Sequence, residues 1–170
     1  MASTRPLTVA DAKILFELVA ENRDFLEPWQ PAIPPELEQL DGWRTMLSGL
    51  LEAEKQGSVV PRVILDGSRV IGRIKLTNIV RGPLQSCSVG YWVSEAENGR
   101  GHATVAVAEI VDLAFTQLGL HRVEAGTLLH NHRSRRVLEH NRFEQYGLAP
   151  RYLQIAGEWQ DHVLFQRLSE

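Results

Sequence analysis

The sequence has little of what would make a membrane, fibrous or disulfide-stapled protein. It contains a single cysteine, Cys87, so no internal disulfide can close, and a reducing compartment such as the cytoplasm is the expected setting. No apolar run approaches the roughly 18–20 residues that cross a bilayer, which excludes a helical membrane span. The stretch Met1 to Pro6 has no apolar segment behind Arg5, so no secretory leader is expected. Charge of one sign is also scarce: 18 Lys and Arg against 21 Asp and Glu leave a formal charge of −3, so any polyanion site must be local and no direct nucleic-acid binding is expected. Internal repeats and low-complexity stretches are missing too. The remaining composition, 44% hydrophobic and 23% charged over 170 residues, is that of a globular chain able to bury roughly 70% of its unfolded surface. Residues 1–170 are read as one domain.

Hydrophobic spacing divides the chain. Asp11 stands where a helix cap is wanted before Ala12 to Asn22, whose Ile14, Leu15, Leu18 and Val19 share one face. Pro28, Pro31, Pro34 and Pro35 then mark a loop carrying the aromatics Phe25 and Trp29. Pro35 suits a first helical turn, and Leu37, Leu40, Trp43, Leu47 and Leu50 step by three and four toward Lys55, with Gly57 as a stop. A β-meander follows: Val59 to Leu65, Val70 to Ile79, and Ser86 to Val93, with turns at Asp66-Gly67-Ser68 and Arg81-Gly82-Pro83. His102 to Leu118 is helical by period and Gly119 stops it. Arg122 to Leu129 reads as a strand, His132 to Asn141 as a helix, and Phe143 to Ile155 and Trp159 to Leu168 as a closing hairpin across Ala156-Gly157-Glu158. This order predicts an α+β domain, largely antiparallel, with one parallel pairing around the crossover helix.

The segment richest in chemical information is the strand end Tyr91-Trp92-Val93 and the turn Asn98-Gly99-Arg100-Gly101-His102-Ala103-Thr104. A strand running through glycines into a helix presents unpaired N–H groups and the positive end of the helix dipole, which together attract a phosphate. Gly99 and Gly101 permit close approach and Arg100 adds charge; an ordinary βα connection is the bland alternative. The segment has no Lys for a nucleoside-triphosphate P-loop. The dinucleotide fingerprint would need a third Gly where Thr104 stands, and although Glu124 lies at the right distance, the preceding strand belongs to a meander.

With Gly90-Tyr91-Trp92-Val93 and Asn98 to Thr104, the sequence resembles the GNAT acetyltransferases, in particular the RimJ/RimL type of protein N-terminal acetyltransferase. Asn131-His132-Arg133-Ser134 is similar to that family's second signature, Asn-x-x-Ser, and Tyr152 to His162 to its closing hairpin. The likeness spans nearly the whole chain. It implies a GNAT fold, an α+β sheet splayed around acetyl-CoA, and an acyltransferase with acetyl-CoA as donor and no metal. Tyr91, Trp92 and Val93 would offer a free strand edge to the pantetheine arm. Asn98, Gly99, Arg100, Gly101, His102, Ala103 and Thr104 would hold the pyrophosphate. Asn131 and Ser134 would meet the arm near its sulfur, with Ser134 as proton donor to the leaving thiolate. As a structural alternative, Asn131 is a helix cap and Ser134 a surface residue of the first turn. The implied acceptor is a primary amine, foremost the N-terminal α-amine of a protein or peptide attacking directly in a ternary complex. A small amine such as an antibiotic or polyamine is the second reading, and a CoA-binding sensor or interaction module without turnover is the third. Monomer and homodimer both stay open. Asn98 replaces the family's commoner Gln, and Asn141-Arg142-Phe143 its commoner Leu-Gly-Phe; Arg142 tolerates a left-handed backbone less well than Gly.

Other groups have weaker claims. Glu95, Glu158, Asp161 and His162 are candidates for the base, each competing with an exposed or turn role. Arg133, Arg135 and Arg136 could meet phosphates or an acidic acceptor, or form a solvated face. His121, His130, His132 and His140 match no common zinc spacing. Cys87 reads as strand packing. Phe25 and Trp29 either line an acceptor entrance or plug the core.

Overall fold

The structure is a computed structural model and describes residues 2–170. Its elements are β1 (Ala2–Pro6), α1 (Ala12–Glu21), the single turn α2 (Arg23–Leu26), α3 (Leu40–Lys55), β2 (Val60–Asp66), β3 (Arg69–Val80), β4 (Ser86–Val93), α4 (His102–Thr116), β5 (Arg122–Leu128), α5 (His132–His140), β6 (Glu144–Ile155) and β7 (Glu158–Leu168). The strands form one sheet in the order β1-β2-β3-β4-β5-β7-β6. Every neighbouring pair is antiparallel except β4 and β5, as the βαβ pattern requires.

Period-two alternation sorts the strand side chains onto two cores. Ile64, Ile74, Leu76, Val123 and Phe165 pack beneath α4 and α5 with Val107 and Ile110. Val63, one residue from Ile64, faces the other way and joins Leu15, Val19, Trp43 and Leu47 under α1 and α3. Each such side chain contributes about 1.5–3 kcal/mol on leaving water, so the helices are held to the sheet far more by burial than by propensity.

The structure adds one strand that hydrophobic spacing did not mark and corrects two local expectations. Residues 2–6, polar and without alternation, form the edge strand β1; it pairs with β2 from Ala2 opposite Asp66 to Pro6 opposite Arg62, and the Thr4 N–H donates to Glu109 on α4 at 2.7 Å. Asp11 does not cap α1 through its side chain. Its buried carboxylate accepts from both ends of the Arg5 guanidinium, at 2.6 and 2.8 Å, and from the Thr8 N–H at 2.8 Å, and the Arg5 and Thr8 bonds outweigh burial to lower its pKa. Pro35 opens a separate 3₁₀ turn, Pro35–Glu38, and α3 starts only at Leu40. The chain doubles back tightly there. A Cβ at Gly42 would fall 1.7 Å from the Glu36 carbonyl oxygen, so only glycine fits.

After α5 the chain closes a Schellman motif: the Phe143 N–H donates to the Leu138 carbonyl at 3.0 Å and the Arg142 N–H to the Glu139 carbonyl at 3.0 Å. Phe143 and Leu138 are both buried in the α4/α5 core, which completes the hydrophobic half of the motif. This geometry forces Arg142 to φ 59°, the left-handed region where a Cβ costs about 1 kcal/mol. Its ion pair with Glu170 spans 3.7 Å between two exposed groups and offsets little of that. Arg142→Gly is therefore expected to raise stability by about 0.5–1 kcal/mol, read as a higher urea midpoint at unchanged slope; a lower midpoint would show that the arginine side chain is worth more than its strain.

Candidate active site: the cleft between β4 and β5

The parallel pairing of β4 with β5 covers only Ser86–Ser88 against Arg122–Glu124. Beyond it the strands part. Val89 to Val93 stay on β3, while Ala125 to Leu128 stay on β7. Part of the cause lies at the far end of β4, where the buried Asn22 at the end of α1 accepts from the Ser94 hydroxyl at 3.2 Å and the Glu95 N–H at 2.8 Å. Those bonds pin the strand's exit to α1 and away from β5. The gap is a cavity of about 770 Å³, roofed by the α2 turn and walled by the starts of α4 and α5. Parting the strands leaves the Val89–Val93 edge that faces β5 without a strand partner among the described residues.

One end of the cleft is built to take an anion. Gly99 and Gly101 adopt φ 74° and 82°, which aims the chain into α4. The first helical bond runs from the Val105 N–H to the Gly101 carbonyl at 3.1 Å, so the N–H groups of Gly101, His102, Ala103 and Thr104 lack intrahelical acceptors. The Asn98 side-chain Nδ2 is buried beside them, without a partner among the described residues. Beneath the turn lies Glu97, 4% exposed, bonded to Arg69 at 2.7 Å and paired with Arg100 at 3.1 Å. The His102 ring is turned inward and stands 3.7 Å from the same carboxylate. Asp66, Glu97 and His102 place ligand atoms within 4.8 Å of one another, but Arg69 bridges both carboxylates and the group is an ion-pair network. His102 thus serves the turn through its main chain, and Arg100 is partly committed below it.

Side chains divide between the two faces of the sheet. On the α4/α5 face, the Tyr91 hydroxyl lies 2.9 Å from Ser134 Oγ and donates to the Ser134 carbonyl at 3.3 Å. Burial pushes the Tyr91 pKa upward, more than the Ser134 bond lowers it, so the phenol keeps its proton. Asn131 Oδ1 accepts from the Ser134 N–H at 3.0 Å: it is the helix cap, and its amide nitrogen still belongs to a residue that lines the cleft. Thr127 on β5, not singled out by the sequence, is buried in the cleft wall with its hydroxyl unpartnered among the described residues. On the α1/α2 face stand Trp92, Gly90, Gly126 and His162.

The remaining candidates separate. Phe25 and Trp29 line the cleft mouth, Trp29 against His130 with ring centroids 5.3 Å apart and Phe25 beneath the Arg133 guanidinium at 6.0 Å. Of the three arginines only Arg133 lines the cavity; Arg135 bonds the Leu129 carbonyl at 3.4 Å. His130 and His132 line it as well, whereas His121 meets Ser169 at 3.2 Å and His140 the Arg136 carbonyl at 2.8 Å, so the four do not converge. Among the base candidates Glu95 and His162 reach the cleft; Glu158 is exposed in the hairpin and Asp161 accepts the Arg151 N–H at 2.8 Å. The Cys87 thiol is buried and its pKa is pushed up to about 12, first by burial and then by Glu124, which leaves it inert.

A family model described as an acetyltransferase (GNAT) domain matches residues 4–144. The chain belongs to the GNAT acetyltransferase family. Among its relatives is a probable N-acetyltransferase, YjcK, of Bacillus subtilis, 38% identical over 167 residues, with 97% of this chain and 92% of the relative covered. The ribosomal protein uS5-alanine N-acetyltransferase of Escherichia coli is 35% identical over 156 residues, covering 91% and 80%. Among solved structures, Mycobacterium smegmatis RimJ in complex with CoA-disulfide superposes with TM-score 0.95 at 33% identity, over 99% of this chain and 82% of that one. The ribosomal-protein-S5-alanine acetyltransferase of Vibrio fischeri gives 0.94 at 30%, over 99% and 93%. The single mostly antiparallel sheet and its flanking helices are those of the RimJ-type enzymes, and the chain is an acetyl-CoA-dependent N-acetyltransferase.

The cleft fits that donor on its own evidence: free N–H groups at one end, the buried Asn98 amide beside them, and an unpaired strand edge along its length. Gly101→Ala puts a Cβ on a φ 82° backbone and is expected to cost about 1 kcal/mol of stability and to weaken CoA at least several-fold by calorimetry. Unchanged CoA affinity would mean that the α4 turn is not the anion site.

Proposed function

We propose that the protein acetylates the N-terminal α-amine of a protein or peptide by direct attack within a ternary complex. The observation that carries this reading is the cleft itself, with free N–H groups at one end, the Tyr91 and Ser134 hydroxyls on one face and an imidazole on the other. It is supported by relatives whose names specify alanine N-acetylation of ribosomal protein uS5. A cytoplasmic location accords with that substrate, and among the described residues no helix is long and apolar enough to cross a membrane.

Acetyl-CoA, when bound, supplies the acyl group as a thioester. The residues handle position and protons. The α4 turn would fix the phosphates and the β4 edge would align the arm through main-chain hydrogen bonds, so the reacting carbonyl sits where the strands part; backbone donors there are worth several kcal/mol to a developing oxyanion. Ser134 Oγ–H would protonate the departing sulfur, and Tyr91, which holds its own proton 2.9 Å away, can replace the one given up. On the opposite face His162 takes the proton of the amine. Its Nδ1 lies 3.0 Å from the Gln160 carbonyl, which can only accept, so Nδ1 carries hydrogen and Nε2 holds the free lone pair. The ring is 3% exposed and rests on Tyr152, with centroids 5.5 Å apart. The task is light. An α-ammonium has a pKa near 8, so freeing it at pH 7 costs only about 1–1.5 kcal/mol.

Two substitutions test these roles through free-thiol release with peptide acceptors. Ser134→Ala is expected to lower kcat about 10- to 100-fold with CoA affinity little changed, and an unchanged kcat would remove the acid role. His162→Gln is expected to lower kcat at pH 7 by a similar factor, with the loss shrinking at pH 9, where the α-amine is already mostly deprotonated. A deficit equal at both pH values would make His162 structural. Failure to acetylate any free N-terminus, with thiol release on small amines instead, would overturn the acceptor assignment.

A further inference from the structure

On the α1/α2 face the floor of the cleft continues past the point where the strands part. Two glycines open it. Gly90 on β4 is exposed, with nothing within 4 Å of where its Cβ would stand, and across the gap Gly126 sits below His162 and Tyr152. Lys75 pairs with Gly90 in the β3–β4 register and Arg73 with Trp92, so both cations stand on this face, one strand spacing of about 5 Å from the cleft. The face is fixed independently, since Arg73 also pairs with Val63, a member of the α1/α3 core.

Neither cation is neutralised by the protein: among the described residues no carboxylate pairs with Arg73 or Lys75, and the buried Arg73 Nη1 has no hydrogen-bond partner. Burial lowers the pKa of both, and for Lys75 the neighbouring Arg73 adds to the effect. Two like charges held side by side at a cost in solvation favour an anion beside them. The carboxylates on the same cleft lie elsewhere. Asp24 and Glu95 stand at its mouth; Glu124 on β5, outside the cavity lining, accepts from the Tyr146 hydroxyl at 2.9 Å.

We infer that Arg73 and Lys75 form a carboxylate subsite for the acceptor, so that the enzyme prefers peptides with an acidic side chain at one of the positions two to four. This rests on the α-amine acceptor proposed above. With the amine at His162, an extended chain advances about 3.3 Å per residue and can pass over Gly90 to set a carboxylate against Lys75 within that range. A bulkier residue at position 90 would stand in its path. Asp24 and Glu95 meanwhile draw in the α-ammonium, and the opposed charges would orient the chain along the floor.

The test uses the full chain with acetyl-CoA and peptides identical except for Glu, Gln or Lys at position two, three or four. Glu peptides are expected to exceed Lys peptides in kcat/KM by about tenfold or more at one or more of these positions, mainly through KM, with the difference shrinking as salt is raised. Lys75→Glu should invert the order and Lys75→Gln should level it, with CoA affinity by calorimetry unchanged in both. Equal turnover of the three peptide sets, or a preference surviving both substitutions, overturns the subsite and leaves α-amine acetylation standing. Binding of CoA without acetylation of any peptide overturns the acceptor assignment, and the subsite falls with it.

Discussion

The structure depends on an interruption: a parallel strand pair that stops after three residues. A sheet normally satisfies both edges of a central strand, and leaving the Val89–Val93 edge unpaired forgoes a series of hydrogen bonds worth about 1 kcal/mol each. The protein holds that arrangement by tying each strand to a different neighbour. β4 is fixed along its length by β3 and at its exit by Asn22; β5 is fixed along its length by β7. Two half-sheets, each complete on its outer side, therefore meet at a seam whose polar edge is available to a ligand. A substrate arm rich in amides would restore the missing bonds there, and the cost of the seam would return as affinity.

The α4 end of the cleft, the proposed phosphate site, follows a second rule, that main chain is cheaper to present than side chain. Four helix-terminal N–H groups need no rotamer to be frozen, and the dipole of α4 adds its fixed field. The buried Glu97 looks opposed to this, a carboxylate under an anion site. Two arginines and a histidine surround it, however, and the two arginines balance the carboxylates of Glu97 and Asp66 while locking the turn to the start of β3. Glu97 positions the loop without repelling what the loop holds.

How much of this could be read from the residues depends on the range of the interaction. The helices and strands of the meander, the crossover helix and the hairpin followed from hydrophobic period, because burial against a sheet imposes that period locally. The glycines before α4 and the Asn131 cap were legible for the same reason: each acts within four residues. β1 was not, since its polar residues gain their order from a ladder with β2 some 60 positions on and from Glu109. Asp11 was assigned to the wrong partner because Arg5, not the helix start, lies closest in space. Asn22, Thr127 and Arg73 carry no local signature at all; only the register says which face or seam each one serves.

Alternation across the sheet is also what would let one small domain separate two reactants. Along β4 and β5 odd residues look toward α4 and α5 and even residues toward α1 and α2, so neighbouring positions in the sequence serve different molecules. Tyr91 meets Ser134 on the α4/α5 face, the proposed donor side, while Gly90 and Trp92 line the α1/α2 face, the proposed acceptor side. Thr127 faces one way, and Gly126 supports His162 on the other. In the proposed reaction the proton that leaves the amine and the proton that reaches the sulfur would be handled on opposite faces of the sheet, by His162 and Ser134. A fold with an uninterrupted sheet could present the same side chains and would still keep the two faces apart; the seam is what lets one amine reach through to one thioester.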